Sequence, residues 1–452
     1  MRRASRIDMC NGPLLSSVIA FSIPLVITSV LQLLFNAADL VVVGQFCGSK
    51  SVAAVGATTA LTHLIVNFFV GLSTGAGVTM AQAVGSGDRD RMHKVVHTAL
   101  PISMISGIIV SAIGLLFSKT FLQLMDTPSE IIDLAALYLK IYFFGSFFSM
   151  IFNFGASLLR ASGDSKSPLY ILSIAGVINV VLNLIFIIFF HMDVAGVALA
   201  TAISQCVSAV MIMYTLYIRE DGCHLDFKSL RIYLEPLKKI ISIGLPTGIQ
   251  MSTFSISNVL IQSSINSFGP AAVSGNAAAA NIEGFVYVSM NSFAQAAINF
   301  AGQNVGAKNY ERLSKIMRVC MACAITAGVV IGGLAYVFCK PLLSIYITDS
   351  PQAIAFGAQR MIYVSLPYFI CGMQDVMSGM LRGMGKSVNA MIISIVGVCG
   401  IRIVFITTLF KLPLFHSLDC LLATYPISWT LCVIVMMIVY KIQKDKLIKA
   451  SQ

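Results

Sequence analysis

Three of the 19 acidic residues sit well inside long apolar runs: Asp39, Glu283 and Asp375. An Asp at the centre of a membrane helix costs about 2.5–3.5 kcal/mol, so an acid kept there reads first as a functional group. Gln32, Asn36 and Asp39 follow one another at four- and three-residue steps and share one helix face. A clamp between helices would need only the two amides. An ionisable third member adds a place where a proton or another cation can bind and leave.

The other polar interruptions leave two readings open. Glu283 follows Ala277 to Ala280 and Asn281, small residues that let helices approach closely, so it reads as a functional acid or as an interhelical contact. Asp375, next to Gln374, is similar. His63 and Asn67, four apart, could line the same cavity or serve in packing. Asn179, Asn183 and Thr201 are residue types common at helix interfaces. Arg360 and Arg402 are cations in apolar runs that need partners, and Asp375 is a conceivable one. Trp429, the single tryptophan, reads as an interfacial or packing residue.

Enzyme chemistry has little footing. No H-E-x-x-H, G-x-S-x-G or G-x-x-x-x-G-K-[ST] occurs. Gly85-Ser86-Gly87-Asp88 is a fragment of a phosphate-loop pattern, but no strand precedes it, and it reads as a turn between helices. The 11 cysteines are scattered, and Cys320 and Cys323 have no second ligand pair. They read as packing residues, so no metal and no cofactor is expected. Without an ATP site, pumping must draw on an ion gradient.

The elements that hold these residues follow from composition. Hydrophobic residues make up 57% and charged residues 11% of 452, with mean hydropathy +0.86. Soluble domains carry about 25% charged residues. An ordinary cytosolic enzyme and a disordered chain are both excluded. Apolar runs near 14–44, 52–84, 95–118, 131–159, 168–190 and 195–218 are followed by 238–268, 273–305, 317–347, 353–381, 389–411 and 417–440. A span takes about 20 residues, so these are twelve expected transmembrane helices. Lys50, Lys119, Lys340 and Lys411 fall on one side, and Lys140, Arg360 and Arg402 fall within spans. All other Lys and Arg of the 30 fall on the opposite side. By the positive-inside rule that side is the cytoplasm, and it holds both termini. The surplus of +11 therefore reads as topology rather than as nucleic-acid binding. The basic start before residue 14 resembles a signal peptide, but the apolar run is too long, and it is expected to stay as the first span.

The chain also repeats itself. Pro24 recurs as Pro246, Arg160-Ala161-Ser162-Gly163 as Arg382-Gly383-Met384-Gly385, and Asp126-Thr127-Pro128 as Asp349-Ser350-Pro351. Ala81-Gln82-Ala83-Val84-Gly85-Ser86 recurs as Gly302-Gln303-Asn304-Val305-Gly306-Ala307, and Arg91 as Arg312. The expectation is an all-α polytopic membrane protein with two parallel six-helix lobes, 1–218 and 238–452, joined by a cytoplasmic linker, 219–237. An even number of spans per half puts the pseudo-two-fold along the membrane normal. Two such lobes suit alternating access, by analogy of architecture.

Phe35-Asn36-Ala37-Ala38-Asp39, Val43-Gly44 and Ala53-Ala54-Val55-Gly56 resemble the first two spans of the multidrug and toxic compound extrusion (MATE) transporters. Gly302-Gln303-Asn304-Val305-Gly306-Ala307 and Leu381-Arg382-Gly383-Met384-Gly385 resemble them too, and the likeness covers nearly the whole chain. It implies a bacterial inner-membrane antiporter, driven by protons or sodium, that exports amphipathic and often cationic compounds. Its partners would be such small molecules and the bilayer, and a monomer is expected. In the DinF-type branch an Asp in span 1 works with an Asn and an Asp four apart in span 5 and a Thr in span 6. The matching positions are Asp39, Asn179, Asn183 and Thr201, so the second acid is an amide here. NorM-like members carry an acid in span 7 eight residues after the proline, where this chain has Phe254. The resemblance implies Asp39 as cation ligand with Asn36, Asn179, Asn183 and Thr201. Gln32, His63, Asn67, Glu283, Gln374, Asp375 and Arg402 remain as cavity candidates. Within the same superfamily, flippases of lipid-linked sugars would need a basic cavity, for which Arg360 and Arg402 are the obvious groups. A membrane enzyme or receptor would need a catalytic pair or an extramembrane domain.

Overall fold

The computed structural model describes residues 7–348 and 350–450. Arg2, Arg3 and Arg6 of the basic N-terminus and Asp349 of the repeated turn lie outside the described residues. Helix forms wherever the apolar runs demand it, because in lipid each backbone amide must find its partner within its own segment. The first half consists of α1 (Leu14–Phe46), α2 (Ser49–Ser86), α3 (Arg89–Leu124), α4 (Ser129–Ala161), α5 (Lys166–Leu184) and α6 (Asp193–Tyr217). The second consists of α7 (Leu234–Asn266), α8 (Pro270–Gly306), α9 (Tyr310–Val337), α10 (Cys339–Tyr346), α11 (Pro351–Arg360), α12 (Tyr368–Gly383), α13 (Ser387–Ser394), α14 (Ile401–Thr407) and α15 (Leu418–Lys449). No strand occurs among the described residues.

Nine of these segments are long and apolar enough to cross a membrane, and α11 with α12, bent by 42°, makes a tenth. α7 and α8, 33 and 37 residues long but richer in polar side chains, bring the total to the expected twelve. The run expected at 317–347 is interrupted at Phe338, where α9 gives way to the short α10. Prolines 24, 101, 246 and 426 lie inside helices, as bilayer-embedded helices tolerate. Three spans contain a π-helical stretch: Ile185–Phe189 after α5, Met361–Ser365 after α11, and Ile395–Gly400 between α13 and α14. Such turns are rare and concentrate at functional positions.

The chain divides into two compact units. Among the described residues, one holds Ile7 and 27–252, and the other holds 8–26, 253–348 and 350–450, so α1 and α7 are each shared between units.

In the first unit, α2 meets the first part of α7 through Gly71, Gly75, Gly244 and Gly248. A Cβ at Gly75 would stand 2.8 Å from the Gly244 Cα, and one at Gly244 2.7 Å from the Leu72 Cα. Only glycine permits that approach. In the second unit, the start of α1 packs on α8, with the rings of Phe21 and Phe300 edge to face at 5.9 Å. Phe21 and Phe300 are both fully buried.

The linker is tied to the first unit. The buried His97 ring lies 2.8 Å from the His93 carbonyl through Nδ1, and its Nε2 lies 3.0 Å from the Asp226 N–H. Asp226 then accepts from the Ser229 hydroxyl at 2.6 Å and the Lys228 N–H at 3.0 Å. Those two bonds, the hydroxyl foremost, hold its carboxyl below the usual carboxylate range. At the same end, Arg219 bridges Asp164 and Asp221 at 3.4 and 3.2 Å.

Candidate functional site

Asp39 reaches its partners because α1 and α5 come unusually close. Gly176 makes this possible: a Cβ there would overlap the Phe35 ring. Phe35 and Asp39 are one turn apart, and Asn179 and Asn183 lie one and two turns beyond Gly176. Seating Phe35 on Gly176 therefore puts the carboxylate against the amides. Asn183 Nδ2 donates to Asp39 Oδ1 at 2.5 Å. The orientation of Asn179 that satisfies both ends of its amide donates to the same oxygen at 2.9 Å. Its carbonyl then accepts from the Thr201 N–H at 3.3 Å. The Thr201 hydroxyl donates to the Val197 carbonyl at 2.9 Å.

One turn beyond Asp39 the surroundings become dry. Val43, Ile187 and Val197 form a buried apolar plug, with Tyr138 packed against it. Ile187 belongs to the π-helical turn that follows Asn183. The result is a carboxylate with neutral donors on one side and a hydrophobic floor on the other. It can take a proton, or share a small cation with amide and hydroxyl oxygens, the hard ligands that sodium-like ions accept.

Of the residues expected around Asp39, the structure brings together Asn179, Asn183 and Thr201. Gln32 and Asn36 lie exposed on α1, with no hydrogen bond to Asp39 among the described residues. His63 is exposed and Asn67 half-buried on α2, again without such a link.

The second unit holds the other charges. Glu283 on α8 and Arg360 at the end of α11 form a buried ion pair, with Arg360 Nη2 to Glu283 Oε2 at 2.6 Å and Nε to Oε1 at 3.0 Å. Nη1 donates to Asn276 Oδ1 at 2.6 Å, and Asn276 Nδ2 donates to Gln262 at 2.8 Å. Ser365, in the π turn after Arg360, donates to Glu283 Oε1 at 3.3 Å. The partner of Arg360 is therefore Glu283, not Asp375. Asp375 instead accepts from Asn291 at 3.4 Å. Gln374 is buried, and its Oε1 finds no hydrogen-bond partner among the described residues. Arg402 lies over the Tyr425 ring at 4.1 Å and donates to Ser428 at 3.2 Å. Trp429 is buried against Tyr368 and Tyr425, a packing residue rather than an interfacial one.

Sequence reading missed Gly176, Asn276, Ser365 and Tyr425. Asn276 had a usable signal, since it lies seven residues before Glu283 on the same helix face. Cys320 and Cys323 are free, and no cluster of three or more potential metal ligands occurs among the described residues.

The MatE family model matches residues 24–185 and again 246–408, beginning both times at the repeated proline. Over 400 residues the chain is 30% identical to the probable multidrug resistance protein YoeA of Bacillus subtilis (strain 168), covering 86% of this chain and 85% of that one. It is 26% identical to the probable multidrug resistance protein NorM of Thermotoga maritima, covering 85% and 83%. The crystal structure of MATE in complex with MaL6 superposes with TM-score 0.90 at 22% identity, over 99% of this chain and all of that one. That fold has twelve helices in two lobes.

Proposed function

The chain belongs to the MatE family of multidrug transporters, membrane proteins that are not enzymes, and from that premise we propose that it is a cation-coupled antiporter. It exports amphipathic, often cationic compounds by alternating access. Asp39 binds the coupling proton or sodium ion, with Asn179, Asn183 and Thr201 as its neutral partners. The membrane is the bacterial inner membrane, both termini are cytoplasmic, and the working unit is a monomer. In this reading the two repeated lobes are 1–218 and 238–452, joined by the linker 219–237.

One observation carries the proposal: two amides converge on a single intramembrane carboxylate beside a dry apolar floor. Binding a cation there changes which arrangement of α1 and α5 is favoured, and so biases the access equilibrium. The flippase reading has less support, because Glu283 neutralises Arg360, one of the two arginines that a basic cavity would draw on.

The test is dye efflux from energised everted vesicles. Asp39→Asn, expressed at the wild-type level, should lose gradient-driven export. Collapse with a protonophore identifies proton coupling, and collapse on sodium removal identifies sodium. Intact export by Asp39→Asn sinks the assignment.

A further inference from the structure

Beyond the apolar plug, on the side away from Asp39, the first unit holds a second carboxylate, Asp193. It belongs to a ladder of one-turn steps shared by α1 and α6. On α1 the steps are Asp39, Val43 and, just past the helix end, Cys47, whose N–H still donates to the Val43 carbonyl at 2.9 Å. On α6, read backwards, they are Thr201, Val197 and Asp193. The first rung is the Asp39 site, where the Asn179 amide bridges to Thr201. The second is the plug, where Val43 and Val197 close on Ile187. At the third, the Cys47 thiol donates to the Asp193 carboxylate. The buried Ser51 hydroxyl of α2 donates to Asp193 Oδ1 at 2.7 Å. Two helical turns, about 12 Å along the axis, therefore separate the acid rungs, with one apolar layer between them.

Asp193 carries a charge that no cation meets: no Lys or Arg pairs with it among the described residues. The titratable groups around it are Cys47, Lys50 beside Ser51 in sequence, His191 two residues before it, and Tyr138, which packs on the plug from α4. Of these only the Cys47 thiol bonds to it among the described residues. Two neutral donors fill about half of the four or so acceptor positions of an ionised carboxylate. The side chain is half-buried, so the rest stay open to an arriving cation. The inner rung shows a matching need. Asn183 Oδ1, beside Asp39, is buried without a hydrogen-bond partner among the described residues, an acceptor waiting for a donor or a positive ion.

We propose that Asp193 is the outer loading site of the coupling cation, taking a proton or a sodium ion at the mouth and passing it across the Val43–Val197 layer to Asp39. This rests on the reading of Asp39 as the coupling site and gives that site a named point of entry. Asp193 starts α6 at the end away from the linker, which the proposed topology places outside the cell. When the apolar layer parts, the cation leaves one carboxylate for the next and crosses a single rung. The two acids also act on each other. At about 12 Å and an effective dielectric of about 20, each bare carboxylate tightens the other's hold on a cation about tenfold. Once Asp39 is filled that help ends, so the outer acid does not trap the ion that follows.

An acid in the first turn of a helix also suits the helix dipole, so the test must separate charge from seating. Asp193→Asn removes the charge and keeps an oxygen for the Ser51 hydroxyl. Ethidium efflux is followed in energised cells while the outside solution is varied, sodium chloride against choline chloride at fixed pH in one series and pH without sodium in the other. In the series to which the wild type responds, Asp193→Asn should need about tenfold more cation for half of its own maximal rate. Asp193→Glu should restore the wild-type midpoint. Ser51→Ala, which frees an acceptor position on Asp193, should move the midpoint the other way by about threefold. An unchanged midpoint in Asp193→Asn overturns the proposal, and a lower maximum at that unchanged midpoint marks a residue that only seats α6. A midpoint raised by Ser51→Ala overturns it too, and that variant leaves the carboxylate in place. Failure of the underlying reading looks different. A wild type that ignores both cations sinks the antiporter and this site with it, whereas intact cation-driven export by Asp39→Asn sinks the inner site and leaves a shifted Asp193→Asn midpoint standing.

Discussion

At the residue scale, the buried charges Glu283 and Arg360 of the second unit are fixed by each other. Glu283 and Arg360 are buried at 3% and 8% exposure, so removing one strands the other. Arg360→Met alone should cost about 3–5 kcal/mol of stability, whereas a double change with Glu283→Leu should recover most of it. Thermal midpoints in detergent measure both. Asn183 stands where a related branch has a second acid, within 2.5 Å of Asp39. Asn183→Asp should turn a site with one carboxylate into one better suited to a metal cation, and dye efflux should become stimulated by sodium. Comparing efflux with sodium and with choline checks this. Asp39 itself was legible, because an acid inside an apolar run is a local signal. Its grouping with Asn179, Asn183 and Thr201 came only from the family resemblance, and the Gln32 and Asn36 stripe makes no hydrogen bond to it among the described residues. The choice between Glu283 and Asp375 as partner of Arg360 was not legible, since it depends on which helices meet and at what height.

At the element scale, close approach is set by glycine. Gly176→Val should push Phe35 off α5 and separate Asp39 from both amides without touching any of the three. An overpacking cost of about 1–3 kcal/mol and loss of export are expected, while the milder Asn179→Ala should weaken export at nearly normal stability. Midpoint and efflux together separate the two. The linker offers an independent test. Because Asp226 titrates below its ordinary value, its contribution is complete above the usual carboxylate pKa and is lost as the pH falls through the lowered one. Amide exchange across residues 226–233 should therefore rise only in strong acid, whereas His97→Ala should raise it at neutral pH. Helix existence was legible from the apolar runs. The π turns were not, because a single extra residue per turn leaves the hydrophobic pattern almost unchanged.

At the scale of the whole molecule, the duplication was legible because its landmarks recur in one order about 222 residues apart, from Pro24 to Pro246. The proposed cytoplasmic placement of the C-terminus is checked by fusing a green fluorescent protein after Gln452, which should fluoresce, or alkaline phosphatase, which should stay inactive. The division of α1 and α7 between the two units was out of reach, since hydropathy ranks segments and says nothing of which half-helix keeps which company. It bears on biogenesis. Phe21 finds Phe300 only after nearly 280 further residues have been made, at 5–20 residues per second a delay of roughly 15–55 s. Through that interval the start of the first helix must wait in the bilayer, or beside the insertion machinery, with its packing face unfilled.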